Sequence, residues 1–402
     1  MLPPALSGHK LLFLFNNYAL DTDRRELRSR GALIDIEPQV FDLLTYLIEQ
    51  RDRVVSKDDL IASVWKGRIV SDSTLDSRVN AARKAVGDSG GKQDTIRTIA
   101  RKGLRFVASV RRADEQPEVG SPRPVIAEKQ QISFCRSKDN VSLALASVGT
   151  GVPLIKTANW LTHLEYDWES PVWSPLLHRL ASKARLVRYD GRGNGLSDRN
   201  VEEISFPSFL SDFDAVADAT GLEKFNILGI SQGAAIAIDY VVRHPERVSK
   251  LIINGGYAQG RNLRGEQEKG EIFLSMLRHG WGDEHSPFMR AFASVFIPTG
   301  SPEQIRWFAE LQRMTTSAEN AVRIRRACDN IDVTHLLPKV KVPTLILHSR
   351  HDAVVPHEQG RLMAASIPDA RFVTLESENH VLLAGEPAWA KFLEEIEAFL
   401  EA

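Results

Sequence analysis

Hydrophobic and polar positions in the second half of the chain switch several times between continuous apolar runs and helical repeats. An apolar run over 225–230 breaks into Gly-x-Ser-x-Gly and continues with small residues at helical spacing. A second buried run over 342–352 ends in a polar loop, and an alternating stretch over 371–376 is followed by a turn. Helical spacing returns over 386–400. This order predicts strands that lead into polar turns and then into helices.

The first part of the chain has a different pattern, with alternating stretches at both ends and helical repeats between them. The alternation predicts two strands and a closing hairpin, at Phe13–Asp21, Leu27–Ile36 and Ile96–Phe106. Helical spacing and a variant capping box formed by Ser56 and Asp59 predict three helices, at Pro38–Glu49, from Ser56 onward and at Ser73–Val86. The third helix presents one apolar face, formed by Leu75, Val79, Ala82 and Val86.

The Gly-x-Ser-x-Gly segment predicts a nucleophile at Ser231. A serine hydroxyl is a weak nucleophile, and a tight turn from strand to helix would lift it beside a base and backbone N–H donors. Gly229 and Gly233 fit this interpretation because such a turn leaves no room for a Cβ at those two positions.

A nucleophile of this kind requires an acid and a histidine later in the chain, each just after a strand. Asp352 and His380 occur in that order and in that context. We therefore expect His380 to be the general base and acid, and Asp352 to fix the imidazole tautomer. Each residue alone would equally suit an ordinary loop or turn. His348 and His351 flank the acid, and we interpret both as loop residues or as residues that support it.

These features resemble the α/β-hydrolase superfamily over most of residues 131–402. The segment 188–198 is similar to the family's Asp-x-Arg-Gly-x-Gly-x-Ser loop, and the segment 244–248 follows the elbow helix. The loop lacks the Lys-Ser/Thr of a phosphate-binding P-loop. The resemblance implies a doubly wound, mostly parallel sheet with a helical lid over about 258–337. The apolar composition of that lid favours a small hydrophobic substrate.

The chain departs from the family where an oxyanion-binding His-Gly usually follows the third strand. Asn159 and Trp160 fall at that place. Because a backbone donor needs no particular side chain, the N–H of Trp160 or Leu161 would still pair with that of Gln232. The indole would narrow the mouth of the site. The alternative is that Trp160 only packs in the core.

The N-terminal segment resembles the OmpR/PhoB-type winged helix-turn-helix, an α+β DNA-binding domain, over nearly all of residues 1–111. The segment 70–84 fits the recognition helix, and 96–106 fits the wing. We expect double-stranded DNA as the partner. The candidate contacts are Ser77, Arg78, Asn80 and Lys84 on the helix, and Arg101 and Lys102 on the wing.

Charge supports this interpretation independently of the resemblance. Residues 1–112 hold 20 Lys and Arg against 14 Asp and Glu, and residues 71–112 alone hold ten against four. The whole positive excess therefore lies on the proposed helix and wing, where phosphate contacts are needed. The alternative for any single basic residue is a solvated surface charge.

Composition bounds the remaining choices. With 402 residues and 43% hydrophobic content the chain is long enough for two domains, joined by a Pro-rich, charged linker over 112–130. We expect a cytoplasmic protein, because no apolar run approaches membrane-spanning length and the start lacks a signal peptide. Cys135 and Cys328 are too few for a disulfide framework or a thiolate metal site, and we expect no metal or other cofactor.

Three functions are consistent with this organisation. The first is a one-component transcriptional regulator whose hydrolase domain binds and hydrolyses a small apolar ester, lactone or amide. The second is a serine hydrolase with an accessory DNA-binding or localisation domain. The third is a sensor whose pocket binds a ligand without turnover. A homodimer is a further expectation, because winged-helix regulators usually read paired half-sites.

Overall fold

The computed structural model describes residues 12–402 except 17, 30–31, 52, 66–67, 69, 92, 100–101, 109, 113–128 and 283–286. For residues 72, 111 and 112 it describes the backbone alone. The chain divides into two compact units, Met1–Arg123 and Pro124–Ala402. Most of the predicted linker lies outside the described residues.

In its described residues the first unit contains seven strands and three helices. Its strands are β1 Leu12–Phe15, β2 Tyr18–Asp21, β3 Glu26–Ser29, β4 Ala32–Ile34, β5 Ile96–Ile99, β6 Gly103–Phe106 and β7 Arg111–Arg112. Its helices are α1 Pro38–Glu49, α2 Lys57–Val64 and α3 Asp72–Ala85. One antiparallel sheet has the order β4-β3-β2-β1-β7, and β5 and β6 form a separate hairpin.

The prediction of two N-terminal strands was wrong, because each alternating stretch folds into a hairpin of two short strands. Alternation marks which side chains face the core, and it continues across a tight turn, so it cannot show where the chain reverses. The three predicted helices and the closing hairpin are confirmed.

Helix α1 and the apolar face of α3 pack with buried strand residues in the core of the first unit. Pro38 occupies the first turn of α1, where a missing N–H costs nothing, and the predicted face of α3 is buried. The capping box that opens α2 is present, because Ser56 and Asp59 exchange side-chain to backbone hydrogen bonds. These contacts leave the opposite face of α3 in solvent.

The second unit is built on one eight-stranded sheet. Its strands are β8 Gln131–Arg136, β9 Ser142–Val148, β10 Val152–Lys156, β11 Ala184–Tyr189, β12 Phe225–Ile230, β13 Val248–Asn254, β14 Thr344–Ser349 and β15 Arg371–Leu375. The order is β15-β14-β13-β12-β10-β11-β9-β8. Strands β10 to β15 pair in parallel, and β9 and β8 add an antiparallel edge. This is the doubly wound, mostly parallel sheet that the resemblance implied.

Ten helices accompany this sheet in the described residues. They are α4 Leu164–Glu169, α5 Ser174–Ala181, α6 Phe206–Ala219, α7 Gly233–Arg243, α8 Gln267–Gly280, α9 Pro287–Phe296, α10 Pro302–Thr315, α11 Ala318–Asp329, α12 His357–Ser366 and α13 Pro387–Glu401. Short 3-10 helices lie at Pro245–Arg247, Arg261–Arg264 and Thr334–Lys339. Helices α8 to α11 lie between β13 and β14 in the chain and form the helical lid.

Burial explains why the parallel strands read as continuous apolar runs. Every residue of β12 and of β14 is buried, since helices cover both faces of such a sheet. The carboxyl ends of these strands are where ligands bind in open α/β sheets. Among the residues that the structure describes, no helix is long and apolar enough to cross a membrane.

Candidate functional site

Ser231 lies in a strained turn between β12 and α7. Its φ is 54°, in the left-handed region that non-glycine residues seldom adopt, at a cost of about 1–3 kcal/mol. Its backbone N–H donates to the carbonyl of Asn254 on the neighbouring strand at 3.1 Å. This bond holds the turn against the sheet, so that the serine occupies the end of β12 in one fixed conformation.

Two glycines allow this turn to pack closely. A Cβ at Gly229 would lie 2.8 Å from the Cα of Ala234, and one at Gly233 would lie 2.3 Å from Oγ1 of Thr157. Thr157 Oγ1 in turn donates to the carbonyl of Gly233 at 3.0 Å. The elbow is therefore fixed to the segment that follows β10.

Asp352 and His380 are brought together by the loops after β14 and β15. Nδ1 of His380 and Oδ2 of Asp352 lie 2.6 Å apart. The other carboxylate oxygen accepts the backbone N–H groups of Val354 and Val355 at 2.8 and 2.9 Å. Burial alone would raise the pKa of Asp352, but His380 and these donors hold it below its usual value. The carboxylate is thus charged and oriented toward the imidazole.

Of the two interpretations offered for His348, the loop residue is excluded, because His348 lies within β14 and is fully buried. Its Nε2 lies 3.0 Å from the carbonyl of Val355 and 3.7 Å from Oδ2 of Asp352. Burial lowers its pKa, so the ring is neutral and supports the acid loop. His351 lies in the following turn and is exposed.

Ser231 and His380 line one cavity, which we call the apolar cavity. Its remaining walls are mostly hydrophobic and come from residues 159–161, the residue before α5 and the lid, including Trp160, Trp173, Phe296, Phe308 and Leu311. The chemistry-bearing side chains therefore adjoin a space suited to an apolar group.

The backbone of the lid forms a hydrogen bond with the backbone of His380. The N–H of His380 donates to the carbonyl of Phe296, the last residue of α9, at 2.9 Å, and the N–H of Val381 approaches the same oxygen at 3.3 Å. The ring of Phe296 packs edge-on against the imidazole. Sequence reasoning missed this contact, because nothing local to either segment signals it.

The three candidate oxyanion residues lie next to Ser231 in the chain or line the same cavity. Gln232 directly precedes α7, where backbone N–H groups and the helix dipole favour negative charge. Its side chain is held aside, since Sγ of Cys328 donates to its Oε1 at 2.6 Å. Burial raises the pKa of Cys328 to about 12, so this thiol stays protonated. Trp160 and Leu161 line the apolar cavity.

Lys156 is a residue of this region that the sequence did not reveal. Its buried ammonium donates to Oδ1 of Asn159 and lies 5.4 Å from the ring centre of Trp173. Burial lowers the pKa of this lysine. Asn159 stands where the family carries histidine, and the lysine fixes it just before Trp160. Trp160 itself is buried against Trp281 and Phe292.

The glycine-rich loop over 188–198 has a structural role. Arg192 is fully buried and forms ion pairs with Asp139 at 2.6 Å and Asp212 at 2.7 Å. These pairs tie the loop after β11 to the turn between β8 and β9 and to α6. Within the described parts of the chain, no group of three or more His, Cys, Asp and Glu side chains is arranged to hold a metal ion.

On the first unit, the solvent face of α3 presents three of the predicted contact residues. Ser77, Asn80 and Lys84 are exposed. Arg78 is different, because it forms an ion pair with Glu37 before α1 and is about a quarter exposed. An arginine held in this way is less available for the groove than the sequence had suggested.

The hairpin of β5 and β6 carries the wing candidates. Lys102 is exposed in its turn, and Arg101 lies outside the described residues. Arg97 and Arg105 lie directly opposite each other on adjacent strands, and both are exposed. Like charges at such a cross-strand pair are unfavourable unless an anion lies near them. This pair was not among the predicted contacts, although alternation places both residues on one face.

Two buried charged residues connect α3 to the hairpin. Arg83 donates to the carbonyl of Ile96 at 3.0 Å and to Oγ1 of Thr98 at 2.8 Å. Asp88 accepts backbone N–H groups at 2.8 to 3.0 Å from Ser89, Asp94, Thr95 and Ile96. Burial alone would raise the pKa of Asp88, but these four donors lower it. Helix α3 and the β5–β6 hairpin are therefore held in one fixed relation.

Comparison with known proteins agrees with both units. The family profile described as "Serine aminopeptidase, S33" matches residues 174–388, which is more than half of the chain. The chain belongs to the α/β-hydrolase family. A second profile, "Transcriptional regulatory protein, C terminal", matches residues 31–106. The α/β-hydrolase domain is thus preceded by an OmpR/PhoB-type winged-helix DNA-binding domain.

The α/β-hydrolase domain is similar to several curated proteins. It is 27% identical over 260 residues to the AB hydrolase superfamily protein YisY of Bacillus subtilis, covering 61% of this chain and 91% of that protein. It is 25% identical over 246 residues to the putative carbamate hydrolase RutD of Azorhizobium caulinodans, covering 60% and 88%.

Solved structures agree on the fold. An esterase from Exiguobacterium antarcticum superposes with a TM-score of 0.57 at 24% identity, covering 68% of this chain and all of that one. The enol-lactonase from Burkholderia xenovorans superposes with a TM-score of 0.54 at 21% identity, covering 67% of this chain and 100% of that one. At these identities the likeness bears on the α/β-hydrolase fold alone.

Proposed function

We propose that this protein is a one-component transcriptional regulator whose α/β-hydrolase domain binds and hydrolyses a small apolar ester, lactone or amide. The observation that carries the proposal is the hydrogen bond of 2.6 Å between His380 and Asp352, beside a cavity that both His380 and Ser231 line. The same chain holds a winged-helix DNA-binding domain, so one polypeptide combines a ligand pocket with a domain that binds DNA.

In the proposed mechanism Ser231 attacks the substrate carbonyl carbon through Oγ. His380 accepts the hydroxyl proton at Nε2, because its Nδ1–H is committed to Asp352. The buried carboxylate then stabilises the imidazolium that forms. The backbone N–H of Gln232, with that of Trp160 or Leu161, binds the oxyanion of the tetrahedral intermediate.

Breakdown of this intermediate gives an acyl-enzyme. His380 returns the proton to the departing alcohol or amine as the bond to the carbonyl carbon breaks. Water then attacks the acyl-serine and gives one proton to His380, which passes it to Oγ as the acid leaves. One water is consumed for each bond that is cleaved, and the enzyme returns to its starting state.

One similar protein supports the substrate class. The putative carbamate hydrolase RutD of Azorhizobium caulinodans is named for a carbamate, which has a carbonyl that bears an oxygen and a nitrogen substituent. The hydrophobic walls of the apolar cavity favour a small apolar acyl or leaving group.

For DNA, we propose that α3 enters the major groove and that the hairpin contacts phosphates or the minor groove. Ser77, Asn80 and Lys84 would face the bases and backbone, with Lys102 and Arg101 on the hairpin. Two copies of the chain would read paired half-sites as a homodimer. Occupancy of the pocket changes DNA affinity only if the ligand prefers one arrangement of the protein over another.

The test uses the purified full-length protein in two assays. Hydrolysis of p-nitrophenyl butyrate is compared between the wild type, Ser231→Ala and the matched control Ser182→Ala, whose hydroxyl is exposed on the end of α5. Selection of genomic DNA fragments is then run with and without a covalent serine-directed inhibitor. We expect turnover that only Ser231→Ala abolishes, and a set of bound fragments whose affinity the inhibitor changes.

The outcomes separate the three functions. Fragment binding without turnover would replace the hydrolase proposal by a ligand sensor. Turnover together with DNA binding that no inhibitor alters would favour a hydrolase with an accessory DNA-binding domain. A protein that selects no fragment at any salt concentration would refute the regulator.

A further inference from the structure

A second cavity adjoins Ser231 and shares Trp160 and Phe296 with the apolar cavity. Its walls include Ser231, Gln232 and three arginines of the lid region, namely Arg261, Arg264 and Arg325. We call it the arginine cavity. Because Ser231, Trp160 and Phe296 line both cavities, the serine lies between an apolar space and a cationic one.

The charges around the arginine cavity do not balance. Arg325 forms an ion pair with Asp329, while Glu266 lies 3.7 Å from Arg261 and 3.4 Å from Arg264. Three guanidinium groups thus face two carboxylates. Burial also raises the pKa of the neighbouring Tyr257 and Cys328, so both stay neutral. Among the described residues that surround it, one positive charge is left over.

The guanidinium groups are desolvated and ordered. Each of the three side chains is only about a tenth exposed. The buried Nε atoms of Arg261 and Arg325 have no hydrogen-bond acceptor among the described residues. Both groups also lie over the ring of Phe273, at 5.1 and 5.4 Å from its centre. Buried, oriented donors of this kind are what a carboxylate requires for strong recognition.

Burial and a neighbouring positive charge both act on Arg261. Burial, and after it the charge of Arg325, lowers the pKa of Arg261 to about 10. An anion placed in the cavity would relieve both effects, since it restores a partner for the charge and an acceptor for the N–H groups. A single leftover charge matches a monoanion better than a dianion.

We propose that the arginine cavity binds a carboxylate at the end of the substrate's acyl chain, while the apolar leaving group occupies the apolar cavity. The scissile carbonyl then lies between the two, at Ser231. This inference rests on the proposed hydrolase function and deepens it, because it makes the preferred substrate a half-ester of a dicarboxylic acid.

The test compares two esters of equal chain length, p-nitrophenyl hydrogen adipate and p-nitrophenyl hexanoate. For the wild type we expect kcat/KM to be at least about tenfold higher for the adipate half-ester, as one charge-assisted contact gives roughly a tenfold difference. In Arg261→Gln this ratio falls toward one. In Arg326→Gln, an exposed arginine on the same helix as Arg325, the ratio keeps its wild-type value. A wild-type ratio at or below one overturns the inference and leaves the hydrolase proposal standing.

Binding of adipate itself separates the two proposals. If neither ester is hydrolysed faster than by Ser231→Ala, the hydrolase proposal fails, and calorimetric titration of the full chain with adipate and with neutral adipamide decides on the cavity. Adipate binding that Arg261→Gln weakens at least tenfold supports the cavity as a carboxylate site. Equal binding of adipate and adipamide, or binding that both arginine variants leave unchanged, refutes it.

Discussion

Replacing Asp352 by asparagine is the most direct probe of the proposed charge arrangement. The carboxylate uses Oδ1 for two backbone N–H groups, at 2.8 and 2.9 Å, and Oδ2 for His380 at 2.6 Å. Asparagine has a single acceptor oxygen. We expect the two backbone donors to retain that oxygen, which turns the amide NH2 toward Nδ1 of His380.

This exchange imposes the wrong tautomer on the imidazole. A ring that accepts at Nδ1 carries its proton on Nε2, and it can no longer take the proton of Ser231. Loss of the correct tautomer lowers kcat by about 10⁴-fold in a serine hydrolase. At about 1.36 kcal/mol for each factor of ten, this is a loss of about 5 kcal/mol of transition-state stabilisation.

The assay is steady-state hydrolysis of p-nitrophenyl butyrate by Asp352→Asn, with Asp369→Asn in an exposed turn as the matched control. Circular dichroism and thermal unfolding establish that both variants are folded. If Asp352→Asn stays within about tenfold of wild type while Ser231→Ala is inactive, the tautomer argument is wrong.

Three further changes probe other parts of the molecule. Asp88→Ala removes the acceptor of four N–H groups and should destabilise the winged-helix domain by about 2–3 kcal/mol in thermal unfolding. Because the pKa of Asp88 is lowered in the folded state, this loss of stability should be present above about pH 4 and fade as the pH falls further. The control Asp94→Ala should show neither the loss of stability nor its pH dependence. Lys84→Gln should reduce the slope of log affinity against log salt by about one in DNA titrations, and an unchanged slope would remove Lys84 from the interface. Gly233→Ala places a Cβ 2.3 Å from a threonine hydroxyl, so it should lower the unfolding free energy by about 1–3 kcal/mol and reduce ester turnover, unlike Gly91→Ala in open space.

Sequence patterns predicted the elements that depend on local spacing. The elbow at Ser231 was predictable because its strand, its glycines and its helix lie within one short segment. The helix over Asp72–Ala85 followed from one apolar stripe. Even Arg83 could have been found, since it lies four residues after Val79 and three before Val86, on the face that packs inward. An arginine on that stripe indicates a buried polar partner.

Contacts between distant segments could not be predicted in this way. The pairing of Arg78 with Glu37 makes one predicted DNA-contact residue less available, yet the two residues are 41 positions apart and neither has a local signal. In the sequence Lys156 is indistinguishable from any other strand residue, and only the fold shows that its ammonium donates to Asn159. The arginine cavity likewise requires the lid to bring Arg325 beside Arg261. Such groups arise from tertiary packing, which a single sequence does not encode at short range.

The backbone hydrogen bond between the end of α9 and His380 would link lid opening to the order of the catalytic steps. If the lid moves aside to admit a substrate, the hydrogen bond between the Phe296 carbonyl and the His380 N–H must break. This would disturb the imidazole that accepts the proton of Ser231. Open and reactive states would then exclude each other. Bond cleavage would be confined to intervals when bulk water is shut out, and how long each intermediate persists would depend on the stability of one helical turn.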